Sequence, residues 1–296
     1  MLLLGFIASS LGAQSPAPEK ANILWAKLER SIAALDARLD GVLAVAIKDL
    51  TDGRTLLLHA DEVMPTASTI KIAILAELYR QESSGAGARL ADAYVVDSGD
   101  VVPGSDILAG LTPGVTRLTN RDLATLMIGV SDNGATNVLI RRVGMERVNG
   151  MLDSLGLKET RLRRRMLDLA AARAGRENTA TPRELVSLLD ALWGNRLLSG
   201  ALRDDFFRVL ATPKERYLPR LLPEQARIAS KPGWLEGVRV DAGIGFVPQR
   251  PFAMAVMISY AGEERAAEQV IAELGLLAWR HFEKLGGGGA YGRRIP

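Results

Sequence analysis

Strand-like sequence sits at the two ends of this chain, and helical sequence fills the middle. Val42–Asp49 is an apolar, β-branched run. Thr51-Asp-Gly-Arg54 follows it with the Asp-Gly turn signal of a tight hairpin. Thr55–Ala60 is the returning strand, which places His59 at a packed or edge position. Three more such runs, Ala226–Ser230, Val238–Val247 and Phe252–Tyr260, come only near the end. Hairpin links make neighbouring strands antiparallel.

The helical pattern is read from apolar spacing. Residues 21–39 and Glu263–Leu285 are amphipathic and flank the strand runs. His281 falls in the last turns of the second, where a cation suits the helix dipole. Between the strand runs, Ser68–Arg80, Asn120–Val130, Gly134–Val143, residues 146–155 and residues 201–211 read as helices. So does the stretch from Thr181, as N-cap with Pro182 at the first position, to Trp193. Gly104–Thr119 reads as loop. The order predicts an α+β fold, an α/β sandwich. A mainly five-stranded antiparallel sheet carries the N- and C-terminal helices on one face. An inserted all-helical block covers the other. The boundaries predicted are 20–62 plus 213–285 for the sheet unit, 63–212 for the helical unit, and a disordered tail over 286–296. A cleft is expected where the two meet.

Ser68-Thr-Ile-Lys71 opens the first helix of that block. The chain has no cysteine and two histidines, His59 and His281, so lysine is the natural group to activate a serine. Positions i and i+3 of a helix share a face, and an amine in an apolar pocket can accept a proton. One serine–lysine spacing of this kind arises by chance about once in a chain of this size. Here Ser131-Asp-Asn133 follows in a helix–helix turn, and Lys231-Pro-Gly233 follows at a strand.

The ordered trio resembles the penicillin-recognising serine hydrolases, above all the class A β-lactamase family. The resemblance runs from about residue 21 to 285, and Asn137 and the Thr181-Pro182 helix start add to it. It implies a β-lactamase/DD-peptidase-like fold, with Ser68, Lys71, Ser131 and Lys231 as the catalytic set. Ser68 would attack the carbonyl. Lys71 would take its proton or hold the local field. Ser131 would pass a proton to the leaving nitrogen, helped by Lys231. Asn133, Gly233 and Trp234 would bind substrate, with the backbone N–H groups of Ser68 and Trp234 around the oxyanion. Arg239 is a candidate for the substrate carboxylate, its alternative being a surface strand arginine.

Two positions depart from that family. Pro232 replaces the hydroxyl residue of the third motif. It shares strand parity with Trp234, so its missing N–H can face an unpaired edge. Met166 stands where the family carries the glutamate that activates the deacylating water. Asp168 is the nearest carboxylate and a possible substitute, while Glu177 is expected to tether the loop to Arg164, with Asn137 also positioning it. Acylation is therefore expected to survive and deacylation to be in question. The alternatives are an esterase or D-amino-acid peptidase of the same kind with a non-β-lactam substrate, and a penicillin-binding protein that deacylates slowly.

The partners expected are a small-molecule β-lactam or a peptidoglycan-like substrate, with the protein acting as a monomer. The 37 basic residues nearly balance the 34 acidic ones, and no basic–aromatic surface pattern of a nucleic-acid binder is present. The run Arg161, Arg163, Arg164, Arg165 reads as a solvated turn or as an anion-attracting rim. No metal or other cofactor is called for. Residues 1–17, an apolar core followed by small residues, read as an export signal cleaved near Ala13 or Ala17. They are too short to span a membrane stably. A periplasmic or secreted location follows.

Overall fold

The computed structural model describes residues 18–214, 217–289 and 291–293. Helix α1 (Pro18–Asp36) leads into the hairpin of β1 (Val42–Asp49) and β2 (Thr55–Leu58). The chain leaves the sheet through β3 (Met64–Pro65), a 3-10 turn over Ala67–Ile70 and α2 (Lys71–Ser84). Next come β4 (Ala93–Val95), the short α3 (Asp106–Ala109), β5 (Arg117–Thr119), α4 (Asn120–Gly129), α5 (Asn133–Val143) and α6 (Met145–Ser154). The short α7 (Leu169–Arg173) lies in a loop that ends at β6 (Thr179–Ala180). Then follow α8 (Pro182–Trp193) and α9 (Gly200–Leu210). The chain returns through β7 (Ile228–Leu235), β8 (Val238–Gly245) and β9 (Phe252–Ser259), and closes with α10 (Glu264–Gly287).

The main sheet has the order β2-β1-β9-β8-β7, and every pairing is antiparallel. Successive strand residues point to opposite faces. Leu43, Val45 and Ile47 therefore pack with Trp25 and Ile32 of α1 and Leu274 and Phe282 of α10. Ala44 and Ala46 face the other way, into a core shared with Ile74 of α2 and Leu185 and Leu189 of α8. This is the α+β sandwich that the strand and helix order predicts.

Several local details differ from expectation. Gly104–Thr119 is not loop throughout: it holds α3, and β5 pairs with β4. Elements of three or four residues are too short to leave a periodic signal. Ser68 lies in a 3-10 turn, and the α-helix proper begins at Lys71. His281 is not a cation at a helix end. It is buried edge-on to Trp25 at 4.6 Å, and burial holds it down to about 4, so it is neutral. Gly286 and Gly287, placed in the tail from sequence, belong to α10. Residues 290 and 294–296 of that tail, and the whole of the 1–17 signal segment, lie outside the described residues. Among the described residues no helix is long and apolar enough to cross a membrane.

Candidate active site

Three backbone devices bring the motifs together. Asp132 caps α5, its carboxylate accepting from Ala135 N at 2.9 Å and from Leu108 N at 3.0 Å. Pinning Asp132 forces the residue before it into the sharp turn out of α4, and Ser131 takes a left-handed φ of 59°. Such a conformation is disfavoured for a residue with a Cβ and persists only when its surroundings fix it. Ala67, just before Ser68, is left-handed too, with φ 47°. The third device joins the 3-10 turn to the edge strand β7: Thr69 Oγ1 donates to Lys231 O at 3.0 Å. Gly233 is required by that join. A Cβ there would sit 2.8 Å from Ser68 N and 2.9 Å from Thr66 O.

Ser131 Oγ is the hub of the site. It donates to Ser68 Oγ at 2.9 Å and accepts from Lys71 Nζ at 3.0 Å and Lys231 Nζ at 3.1 Å. One donor and two acceptor positions are all a hydroxyl has, so the group is saturated. Lys71 Nζ spends its other two donors on Ser131 O at 2.8 Å and Asn133 Oδ1 at 3.1 Å. Ser68 and Lys71 thus communicate through Ser131, although their spacing suggested direct contact. Burial, and then the Lys231 ammonium, push Lys71 well below the ordinary ammonium range. Burial, then Lys214, push Lys231 down to about 7. A proton at either amine is loosely held.

Ser68, Ser131 and Lys231 line one cleft of about 690 Å³, together with Asn133, Arg164, Met166, Pro232 and Trp234, and Lys71 is fully buried beneath Ser131. Asn133 Nδ2 donates to Pro103 O at 3.1 Å. Trp234 is 63% exposed at the cleft. Pro232 sits on the edge strand β7, the place in a sheet where a residue without an N–H is tolerated.

The loop over residues 161–179 is closed at its neck. Arg161 N donates to Thr179 O at 2.9 Å, and Thr179 N returns a bond to Arg161 O at 3.2 Å. Inside it, Arg164 Nε donates to Glu177 Oε1 at 2.9 Å, the tether expected from sequence. Asn178 Oδ1 accepts from the N–H groups of Arg163 and Arg164. Asn137 holds the Met166 backbone at both its N–H and its carbonyl. The arginine run is therefore mostly internal bracing: Arg161 pairs with Asp153 and Arg163 with Thr179.

Two candidates are corrected. Arg239 does not reach the cleft. Val240 and Ala242 of β8 face the helical block, so the alternation turns Arg239 to the opposite face. There it is buried against Glu264 and Glu268 of α10. Asp168 does not reach the cleft either. It is exposed and caps α7, its Oδ1 accepting from Ala171 N at 2.9 Å. Met166 does line the cleft and offers only a thioether. The cleft residues that sequence reasoning missed include Lys214, Tyr217 and Leu167. Leu167 has a left-handed φ of 62° and is 40% exposed. None of them stands in a motif.

Among the described residues no cluster of His, Asp and Glu could hold a metal ion. The site's chemistry is that of a serine whose hydroxyl can exchange protons with two desolvated amines through a second serine.

Comparison with known proteins places this arrangement. The family model described as Beta-lactamase enzyme family matches residues 27–282. A β-lactamase of Streptomyces lavendulae is 31% identical over 245 residues, 78% of this chain and 77% of that protein. The crystal structure of a β-lactamase from Sphaerobacter thermophilus DSM 20745 superposes with a TM-score of 0.78 at 32% identity, covering 87% of this chain and 97% of the other. PBP-A, seen as an acyl-enzyme complex of a leucine-to-glutamate mutant with penicillin G, superposes with a TM-score of 0.78 at 26% identity. That match covers 88% of this chain and 97% of the other.

Proposed function

The chain belongs to the β-lactamase enzyme family, class A in kind, and on that premise we propose that Ser68 attacks the β-lactam amide to form an acyl-enzyme whose hydrolysis is the slow step. The observation that carries this reading is the Ser131 hydroxyl, bonded at once to Ser68 Oγ, Lys71 Nζ and Lys231 Nζ.

With Lys71 neutral, the hydrogen-bond chain can run the other way. Ser68 gives its proton to Ser131 Oγ as Ser131 gives its own to Lys71 Nζ. The Ser68 oxygen then forms its bond to the carbonyl carbon. The backbone N–H groups of Ser68 and Trp234 receive the oxyanion, and Gly233, lacking a Cβ, leaves the first of them uncovered. As the amide C–N bond breaks, the proton on Lys71 returns through Ser131 to the leaving nitrogen. Lys231 remains cationic throughout and steadies the Ser131 oxygen.

Hydrolysis of the ester needs a water and a base. Met166 cannot accept a proton, and Asp168 is turned outward as a helix cap. Losing a placed general base costs about 10²–10⁴ in rate. The same two facts favour, as second reading, a penicillin-binding peptidase that acylates and deacylates slowly. The acyl-enzyme complex of a PBP-A mutant with penicillin G supports the acylation step of that reading. The reading includes export as a monomer through residues 1–17, checked by N-terminal sequencing of the mature protein and by its sedimentation.

The test is incubation with penicillin G followed by intact mass. A Ser68-dependent adduct that decays over many minutes is the expected result. Absence of any adduct overturns acylation, and an adduct gone within seconds overturns the slow step.

A further inference from the structure

Behind the catalytic lysine of β7 lies a second set of buried charges that the reaction scheme does not use. Asp241 stands on β8 directly across from Pro232 and is fully buried. Its Oδ2 accepts from Leu218 N at 3.1 Å, and the Ser230 side chain of β7 hydrogen-bonds the carboxylate as well. A fully buried carboxylate held only by neutral donors is still costly unless charge compensates it. The compensating charges are Lys231 and Lys214, the two cations whose fields reach it. Lys214 Nζ donates to Leu210 O at 3.0 Å and Thr212 O at 2.7 Å. It lines the catalytic cleft and also a neighbouring cavity of about 660 Å³.

We infer that Asp241 and Lys214 are positioning residues that set the charge of Lys231 from opposite directions, and through it the pH range over which Ser68 is acylated. This rests on the Ser68 acylation reading above. Lys231 is short of hydrogen-bond acceptors: Ser131 Oγ and Pro232 O take two of its donors. Its charge is therefore decided by its neighbours. Among the described residues these are Lys71 from α2, Lys214 from the segment before β7, and Asp241 from β8. Asp241 holds a proton on Lys231, whereas Lys214 and Lys71 repel it. Burial pushes both Lys231 and Lys214 down, Lys214 to about 8, and pushes Asp241 up, so small changes in this trio fall near neutral pH.

A role in charge differs from a role in packing by its sign. Acylation needs neutral Lys71 and cationic Lys231, which gives a bell-shaped profile whose alkaline side reports Lys231. Asp241→Asn keeps the shape and the acceptor for Leu218 N while removing the negative charge. It is expected to move the alkaline side down by about one pH unit. Lys214→Met removes a repelling cation and is expected to move that side up by about half a unit or more.

The experiment measures the rate of penicillin G adduct formation by intact mass between pH 5 and pH 10 for the wild type and both variants, with thermal melts to confirm folding. Opposite displacements support the inference. Displacements in the same direction, or a profile unmoved in Lys214→Met, overturn it even if Asp241→Asn fails to fold. A wild type that forms no adduct at any pH removes the Ser68 reading itself, and the inference with it.

Discussion

Asn137 grips Met166 by its backbone: Oδ1 accepts from Met166 N at 2.8 Å, and Nδ2 donates to Met166 O at 3.2 Å. The grip leaves the side chain free to vary while fixing where it points, into the cleft. Met166→Glu should therefore place a carboxylate beside the ester without disturbing the loop, since the two side chains are similar in length. Breakdown of the penicillin G adduct should quicken by about 10²–10⁴, the usual worth of a general base. The decay of the adduct mass measures this. An unchanged lifetime would show that the methionine is not what limits hydrolysis.

Ser131→Ala removes the hub and leaves Lys71 and Lys231 each short of an acceptor. Lys71 keeps Ser131 O and Asn133 Oδ1, and Lys231 keeps Pro232 O, so the fold should lose only about 1–2 kcal/mol. Acylation should fall by about 10²–10⁴, because the relay between Ser68 and Lys71 runs through the missing oxygen. Rates of adduct formation, set beside a denaturant melt, separate the two effects. A near-normal rate would mean that Lys71 reaches Ser68 directly.

Gly233→Ala should slow acylation by about 10²–10³, the range for losing one oxyanion donor. The added Cβ would press on Ser68 N at 2.8 Å and on Ala67 Cβ at 3.0 Å, and Ala67 is already held left-handed. Stability should change less than rate, because β7 can shift outward at the open edge of the sheet. Wild-type acylation in this variant would show that β7 has room to move away from Ser68.

The quartet Ser68, Lys71, Ser131 and Lys231 was legible as a candidate site because the proposed chemistry needs a definite residue type at a definite place along the chain. The sheet was legible because an Asp-Gly turn and β-branched runs are local signals. What could not be read was orientation. Arg239 is the right chemistry on the right strand, yet three residues separate it from Ala242, the partner of Lys231, and an odd separation turns it to the other face. Asp168 is near Met166 in sequence, but a two-residue offset in a loop has no fixed direction, and capping α7 claimed its carboxylate. Lys214 carries no motif at all. Its place beside the cleft depends on how the segment after α9 folds back towards β7, a matter of tertiary packing.

His281 should make this fold acid-labile over a definite window. Its ring is buried between Trp25 and Phe282, and its Nε2 has no hydrogen-bond partner among the described residues. Burial first, then Lys284, Arg54 and Arg250, hold its pKa down to about 4, against the ordinary 6.5 of an unfolded chain. Below 6.5 the unfolded chain takes up a proton that the folded one refuses, so unfolding becomes easier as pH falls. The loss should begin near pH 6.5 and be complete near pH 4, amounting to at most about 3 kcal/mol. His281→Phe should flatten that part of the stability curve, since a phenylalanine keeps the contacts with Trp25 and has no proton to bind. Urea melts at steps between pH 7 and pH 4 provide the comparison. Equal slopes in wild type and variant would assign the acid sensitivity to other groups.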